Sequence, residues 1–293
     1  MGIWRLKAAR IEDAVGARLE SVNWSRAGRL ASFGATSAGI ILAAVYWWSL
    51  RDTYPVDLGA YYNRPPFSDL YDHPERGPWN YWNYSPVFYQ VFSLLDSVSF
   101  DTIVAGYRAI LLVLVVWLSG PWTVPLLLTM PVAVEVEAAN INLILAAVVV
   151  IGFRWPGAWA FVLLTKPTVG VALLWFALNR RWSHVAIALG AAAVIASVSF
   201  LMVPDAWFGW LRLLTTGAGG GAVWPWNWPF WFRLPLVIGV LAYGYRRRWP
   251  LGLAATLALP VFFLTSPSML LGAVYLARKD GRLWRPAPMT HSD

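Results

Sequence analysis

An all-α, polytopic membrane protein is the fold class this sequence predicts, and three observations carry the prediction. Of its 293 residues 58% are hydrophobic and only 13% charged, against roughly 25% charged in soluble globular domains. Apolar runs of membrane-spanning length recur along the chain. The 20 Trp and 12 Tyr gather beside those runs, where amphipathic rings favour the membrane–water interface. No long polar linker divides the chain, so a single integral-membrane domain over 29–285 is expected.

Residues 1–28 are too charged, and too long before the first apolar run, for a cleavable signal peptide. They are expected to form a cytoplasmic amphipathic segment, with Arg5, Lys7, Arg10 and Arg18 facing anionic headgroups. The first span is expected over 30–50, starting on the cytoplasmic side because Arg26 and Arg29 precede it. A first extracytoplasmic loop, 51–98, follows. It carries Asp52, Asp57, Asp69, Asp72 and Glu75, with Asp69 and Asp72 among turn formers. Its last part, 85–98, is amphipathic and covers only about 21 Å as a helix, so it is expected to lie along the interface.

Further apolar runs fall near 103–119, 121–134, 139–153, 156–166, 168–179, 183–203, 234–245, 250–264 and 268–277, giving about ten membrane segments. Several are shorter than the roughly 20 residues of a straight span. Breaks of this kind are tolerated where the freed backbone lines a protein cavity. Alternation of the runs puts most of the 23 Lys and Arg, among them Arg154, Arg180–Arg181, Arg246–Arg248 and Arg278–Lys279, at cytoplasmic turns; only the turn near 120 lacks a charge. Both termini are then cytoplasmic. The loop 204–233 is a second large extracytoplasmic loop with a Gly-rich hinge and a Trp platform, and 286–293 reads as a disordered tail.

A net charge of +8 spread over such turns speaks for topology signals and against nucleic acid. Cysteine is absent, which excludes disulfides and thiolate metal sites. His73, His184 and His291 fall in different regions, so no histidine metal site and no cofactor is expected; a carboxylate-bound divalent ion stays open. The alternation sends the costly polar groups embedded in apolar sequence, Glu135, Glu137, Asn140, Asn142 and Lys166, to the same face as Asp57. One carboxylate and one ammonium suit glycosyl transfer from a lipid-linked sugar phosphate. The leaving phosphate needs a cation, for which Lys166 is placed. The acceptor hydroxyl needs one general base, for which Asp57 is placed. Tyr61, Tyr84, Asn140, Asn142 and Glu137 are the expected substrate contacts. Glu135 and Glu137 are also candidate structural partners of Arg108 or Lys166.

The succession Asp57-x-x-x-Tyr61, Leu70-Tyr71-Asp72, Tyr84-x-Pro86, Asn140-x-Asn142-Leu143, Lys166-Pro167 and Arg180-Arg181-Trp182 resembles glycosyltransferase family 87 over about residues 30–203. That resemblance implies a GT-C fold and an inverting transferase of the cell envelope. Its donor would be a polyprenyl-phosphate sugar, mannose foremost and arabinofuranose next. Its acceptor would be a glycolipid or glycan outside the cytoplasmic membrane. It also implies that the catalytic Asp stands in the first extracytoplasmic loop, the position of Asp57. Glu137-Ala-Ala occupies the place where that family usually has Gly-Gln. Two other classes remain open from the residues: an isoprenoid-lipid transporter or flippase using the same cavity, and a non-catalytic membrane partner on the same scaffold.

Overall fold

A computed structural model describes residues 24–71, 82–216 and 229–280. Residues 1–23 of the expected amphipathic segment 1–28, Asp72, His73, Glu75, the glycines 217–221, most of the Trp platform and the 286–293 tail lie outside the described residues, and Trp24–Gly28 belong to the first helix. Among the described residues the chain is helical, with no strand.

The first helix, α1 (Trp24–Ser49), turns Leu30, Phe33, Ile40, Ile41 and Val45 outward while Ala43 is buried. An apolar exterior of this kind is what a lipid solvent permits. The loop that follows holds a short helix, α2 (Val56–Tyr62), and then α3 (Pro86–Ser93), started by Pro86 at a first-turn position where no hydrogen bond is lost. α4 (Phe100–Ser119) begins at Ser99, whose hydroxyl accepts the Thr102 N–H at 3.4 Å, with Asp101 in the first turn. It ends at Gly120, whose φ of 57° a side chain rarely adopts. The Arg278 guanidinium occupies the space a Cβ would need there, and its Nη1 donates to the Leu118 carbonyl at 3.1 Å. The one uncharged turn of the topology expectation thus receives its charge from a distant helix.

Short helices build the centre. α5 (Thr123–Leu127) leads into α6 (Met130–Ala138), and α7 (Asn142–Ile151) leaves α6 at a bend of 104°. At the bend Ala139 has a φ of 54°, the Asn140 N–H bonds back to the Glu135 carbonyl at 3.0 Å and the Ala139 N–H to Val136 at 3.3 Å. That is a Schellman ending with alanine in the left-handed position that glycine usually takes. α7 is the most enclosed helix, packed against α4, α8 (Trp159–Thr165), α13 (Trp249–Leu257) and α14 (Leu271–Lys279). Between α8 and α9 (Leu174–Leu178) runs a 3-10 segment, Pro167–Leu173.

α10 (Trp182–Met202) is apolar all round and mostly exposed. The stretch expected as a loop from 204 opens with a helix, α11 (Pro204–Thr216), which seats Trp207, Trp210 and Leu213 against α8 and α10. The tryptophans of this stretch, expected on a loop, stand instead on a helix whose amphipathic spacing suits an interface. α12 (Phe230–Tyr243) follows and packs on α13.

Among the described residues three helical stretches are long and apolar enough to cross a membrane: Gly28–Ser49, Phe100–Leu127 and Trp182–Met202. The α6–α7 pair is either a fourth, broken span or a re-entrant loop. The other runs form shorter apolar helices, among them Pro156–Thr165, Pro167–Leu178 and Phe230–Tyr243. The chain is therefore a helical membrane protein whose interior holds short helices broken at polar residues.

Candidate active site

Three of these breaks converge. The first is the α6–α7 bend, the second is Thr165-Lys166-Pro167 between α8 and its 3-10 segment, and the third is Thr265-Ser266-Pro267 ahead of the 3-10 segment Ser266–Leu270. Proline removes an N–H and discourages helix in the residue before it. The polar residues at these points therefore keep free hydrogen-bonding groups inside an apolar protein.

Glu135 is fully buried at 0% exposure. Its Oε1 accepts the Leu143 N–H at 3.1 Å and its Oε2 accepts the Asn142 amide at 3.0 Å. The Asn142 Oδ1 accepts from Lys166 Nζ at 2.9 Å, so one amide bridges an acid and a base. Thr265 Oγ1 takes both amides, Asn140 at 3.2 Å and Asn142 at 3.3 Å. The Tyr107 hydroxyl donates to the Asn140 carbonyl at 3.4 Å. An ammonium has three N–H groups; among the described residues Asn142 takes one from Lys166.

Asp57 reaches this cluster from α2. Leu58 and Tyr61 are buried while Val56 faces out, and the four-residue spacing puts Asp57 and Tyr61 on one face. α2 packs on α3 and α6. Burial pushes the Asp57 carboxyl above its ordinary value, offset in part by the nearby Lys166 ammonium and a hydrogen bond from Asn140. Lys166 thus faces two carboxylates, Glu135 and Asp57. Asp57 and Lys166 are half-buried where Glu135 is sealed.

The tyrosines complete one wall. The Tyr61 and Tyr84 hydroxyls are 2.9 Å apart, and Tyr84 stacks on Phe88 of α3 at 4.5 Å. The Tyr71 hydroxyl donates to the Tyr84 carbonyl at 2.7 Å, fixing the strand of chain that carries it. Burial raises the Tyr61 phenol well above its ordinary value, helped by Tyr84 and Asp57. Burial likewise raises Tyr84. Both remain neutral O–H donors at any working pH.

The structure brings Asp57, Tyr61, Tyr84, Asn140, Asn142 and Lys166 together. Glu137 does not join them: its side chain is exposed, its charge acts on Arg108 and Tyr46, and its carbonyl accepts from Arg108 Nη2 at 2.6 Å. On a helix, two residues on is about 200° round, the opposite face, so Glu135 enters the cluster and Glu137 turns from it. Thr265 and Tyr107 were not anticipated. For Thr265 a signal existed, since Thr265-Ser266-Pro267 interrupts apolar sequence as Thr165-Lys166-Pro167 does. Asp52 pairs with Arg51 at 3.1 Å in the open.

Among the described residues no group of three His, Asp or Glu stands close enough to hold a metal ion. The two neighbouring carboxylates already share an ammonium. Chemically, the cluster offers one accessible carboxylate of raised basicity, one cation with N–H groups to spare, and neutral hydroxyl donors. Comparison with protein-family models, curated proteins and solved structures finds no match to this chain.

Proposed function

We propose that the protein is a membrane glycosyltransferase that moves a sugar from a polyprenyl-phosphate donor to a hydroxyl of a glycolipid or glycan, with inversion. Mannose is the first choice of sugar and arabinofuranose the second. One observation carries the reading: Asp57 and Lys166, 109 positions apart in the numbering, feel each other's charge in one partly open cluster. In the reaction the acceptor oxygen attacks the anomeric carbon while its proton passes to Asp57. The bond from that carbon to the phosphate oxygen breaks, and its electron pair leaves on polyprenyl phosphate. Lys166 meets the growing charge on that oxygen. A carboxylate whose pKa is raised by burial is the stronger base for this task. A single displacement from the face opposite the departing phosphate inverts the anomeric centre, and no second carboxylate is required as in glycoside hydrolysis.

In this proposal the polar cluster opens to the extracytoplasmic side, the arginine-bearing turns lie in the cytoplasm and about ten segments, several of them short, occupy the membrane in a GT-C arrangement. The exposed apolar faces of α1 and α10 suit contact with lipid. The test is purified protein in vesicles given polyprenyl-phosphate mannose and a glycolipid acceptor, with Asp57→Asn beside the wild type. Product should form, and the variant should lose about 100-fold or more in rate. A variant that transfers sugar at the wild-type rate rules out the base assignment. Movement of the donor across the bilayer without product selects the flippase class instead.

A further inference from the structure

A second polar hollow shares no lining residue with the Asp57 cluster. It is lined by Trp175, Asn179, Arg181, Arg246, Arg247, Arg248 and Asp280. Lys166 and the hollow's first lining residue, Trp175, are joined by the 3-10 segment and the start of α9. Four guanidinium groups against one carboxylate leave it strongly cationic.

Topology signals need only positive charge beside a span; they need no convergence. Here two separate connections, α9 to α10 and α12 to α13, and the end of α14 meet in one concavity, and their guanidinium groups are held in place. Asp280 grips Arg248 through Nε at 2.8 Å and through Nη2. Arg247 donates to the Tyr243 hydroxyl at 3.1 Å and lies over its ring at 5.3 Å. Arg181 lies over the floor of the hollow, the Trp175 ring, at 5.6 Å. Trp175 itself is fixed by its Nε1 donating to the Gly244 carbonyl at 3.0 Å, which ties the two connections together. Arg180 has a φ of 56°, and the Arg181 N–H bonds back to the Phe176 carbonyl at 2.8 Å. A residue with a Cβ is thus kept in the left-handed region at the turn that delivers Arg181.

Fixed, forked guanidinium groups match a phosphate better than mobile ammonium groups do. The source of that phosphate is indicated by the surroundings. Leu174, Leu178, Tyr243 and Tyr245 are exposed on the segments that border the hollow, and Leu236 and Ile238 extend the apolar surface along α12. We propose that this hollow binds the phosphodiester headgroup of an anionic phospholipid, whose acyl chains lie along the exposed faces of α9 and α12. The site is separate from the sugar-transfer cluster and stands or falls without it.

The experiment uses the full chain in neutral detergent and counts bound lipid by native mass spectrometry. The arms are phosphatidylglycerol, phosphatidylcholine and inorganic phosphate. The wild type should retain phosphatidylglycerol about tenfold more tightly than phosphatidylcholine, and millimolar inorganic phosphate should not displace it. Arg246→Gln with Arg247→Gln should weaken retention about tenfold. Arg246→Lys with Arg247→Lys, which keeps the charge and loses the fork, should weaken it severalfold. Arg29→Gln with Arg154→Gln, outside the hollow, should leave it unchanged. Equal binding of phosphatidylcholine, displacement by inorganic phosphate, or an equal loss in the Arg29/Arg154 pair overturns the proposal. If the Gln pair does not fold, the Lys pair decides, and its retention of wild-type affinity is then the overturning result.

Discussion

Arg108 should hold the candidate active site in register, and its removal gives a measurable test. It is 2% exposed and lies on α4 among apolar residues. Its Nη1 donates to the Leu50 carbonyl; its Nη2 reaches the Thr53 carbonyl at 3.1 Å, the Thr53 hydroxyl at 2.9 Å and the Glu137 carbonyl at 2.6 Å. One guanidinium therefore ties the end of α1, the entry to the Asp57 loop and the end of α6 to a single helix. In Arg108→Met those acceptors lose their donor inside the protein. Hydrogen bonds to a charged group contribute about 1.5–3 kcal/mol each, and the desolvation of a buried guanidinium opposes part of that gain. Each buried acceptor left without a donor costs about 1–3 kcal/mol, on the order of 3–5 kcal/mol for the group. For a chain of this size that corresponds to a melting temperature about 10 °C lower, read by circular dichroism in detergent. Hydrogen exchange adds the local readout. The Gly59 and Asn63 amides, which bond to Pro55 and Gly59 in α2, should exchange faster, while α13 and α14 should not change. Arg108→Lys should not rescue, because one ammonium does not span the same acceptors. A melting temperature within about 1 °C of wild type, with unchanged exchange in α2, would refute the reasoning.

Other outcomes follow from the same contacts. Burial raises the Asp57 carboxyl and Lys166 holds it down, so the base form is lost as pH falls through that raised value. Lys166→Met removes the restraint and should move the acid limb of the pH–rate profile to higher pH; a shift downward, or none, contradicts the proximity of the two charges. Ala139→Gly should raise stability by about 1 kcal/mol, since glycine adopts the left-handed φ of 54° without a Cβ penalty; a loss of thermal stability would speak against the Schellman bend. A Cβ at Gly252 would stand 2.5 Å from the Ala273 backbone nitrogen, so Gly252→Leu should separate α13 from α14 and give aggregated protein on size exclusion. The chain has no cysteine, and single Asp52→Cys and Arg154→Cys variants, both at exposed positions, should label from opposite sides of sealed vesicles.

Much of the candidate site was visible as chemistry out of place. Asn140, Asn142 and Lys166 stand out because polar groups in apolar sequence are costly unless they find partners, and they found each other. Asp57 stood out because it lies in an acidic, aromatic loop. The choice between Glu135 and Glu137 was not visible. It depends on where α6 ends, and that end is set by Ala139 taking a conformation its side chain does not advertise. Thr265 showed as a polar break in apolar sequence, but its partners did not: they are 123 and 125 positions away, and no local pattern encodes such a distance. The helix over Pro204–Thr216 was not legible either, because the stretch falls between two apolar runs and its tryptophans suit an interface as loop or helix.

Composition and the recurrence of apolar runs were sufficient to determine a helical membrane protein, because a lipid solvent leaves the backbone few ways to satisfy its own hydrogen bonds. Which breaks meet, which acid turns inward and which arginine caps which helix were decided only in three dimensions. Those outcomes depend on contacts between residues far apart in the chain, where a bend of 104° between two short helices redirects every side chain beyond it.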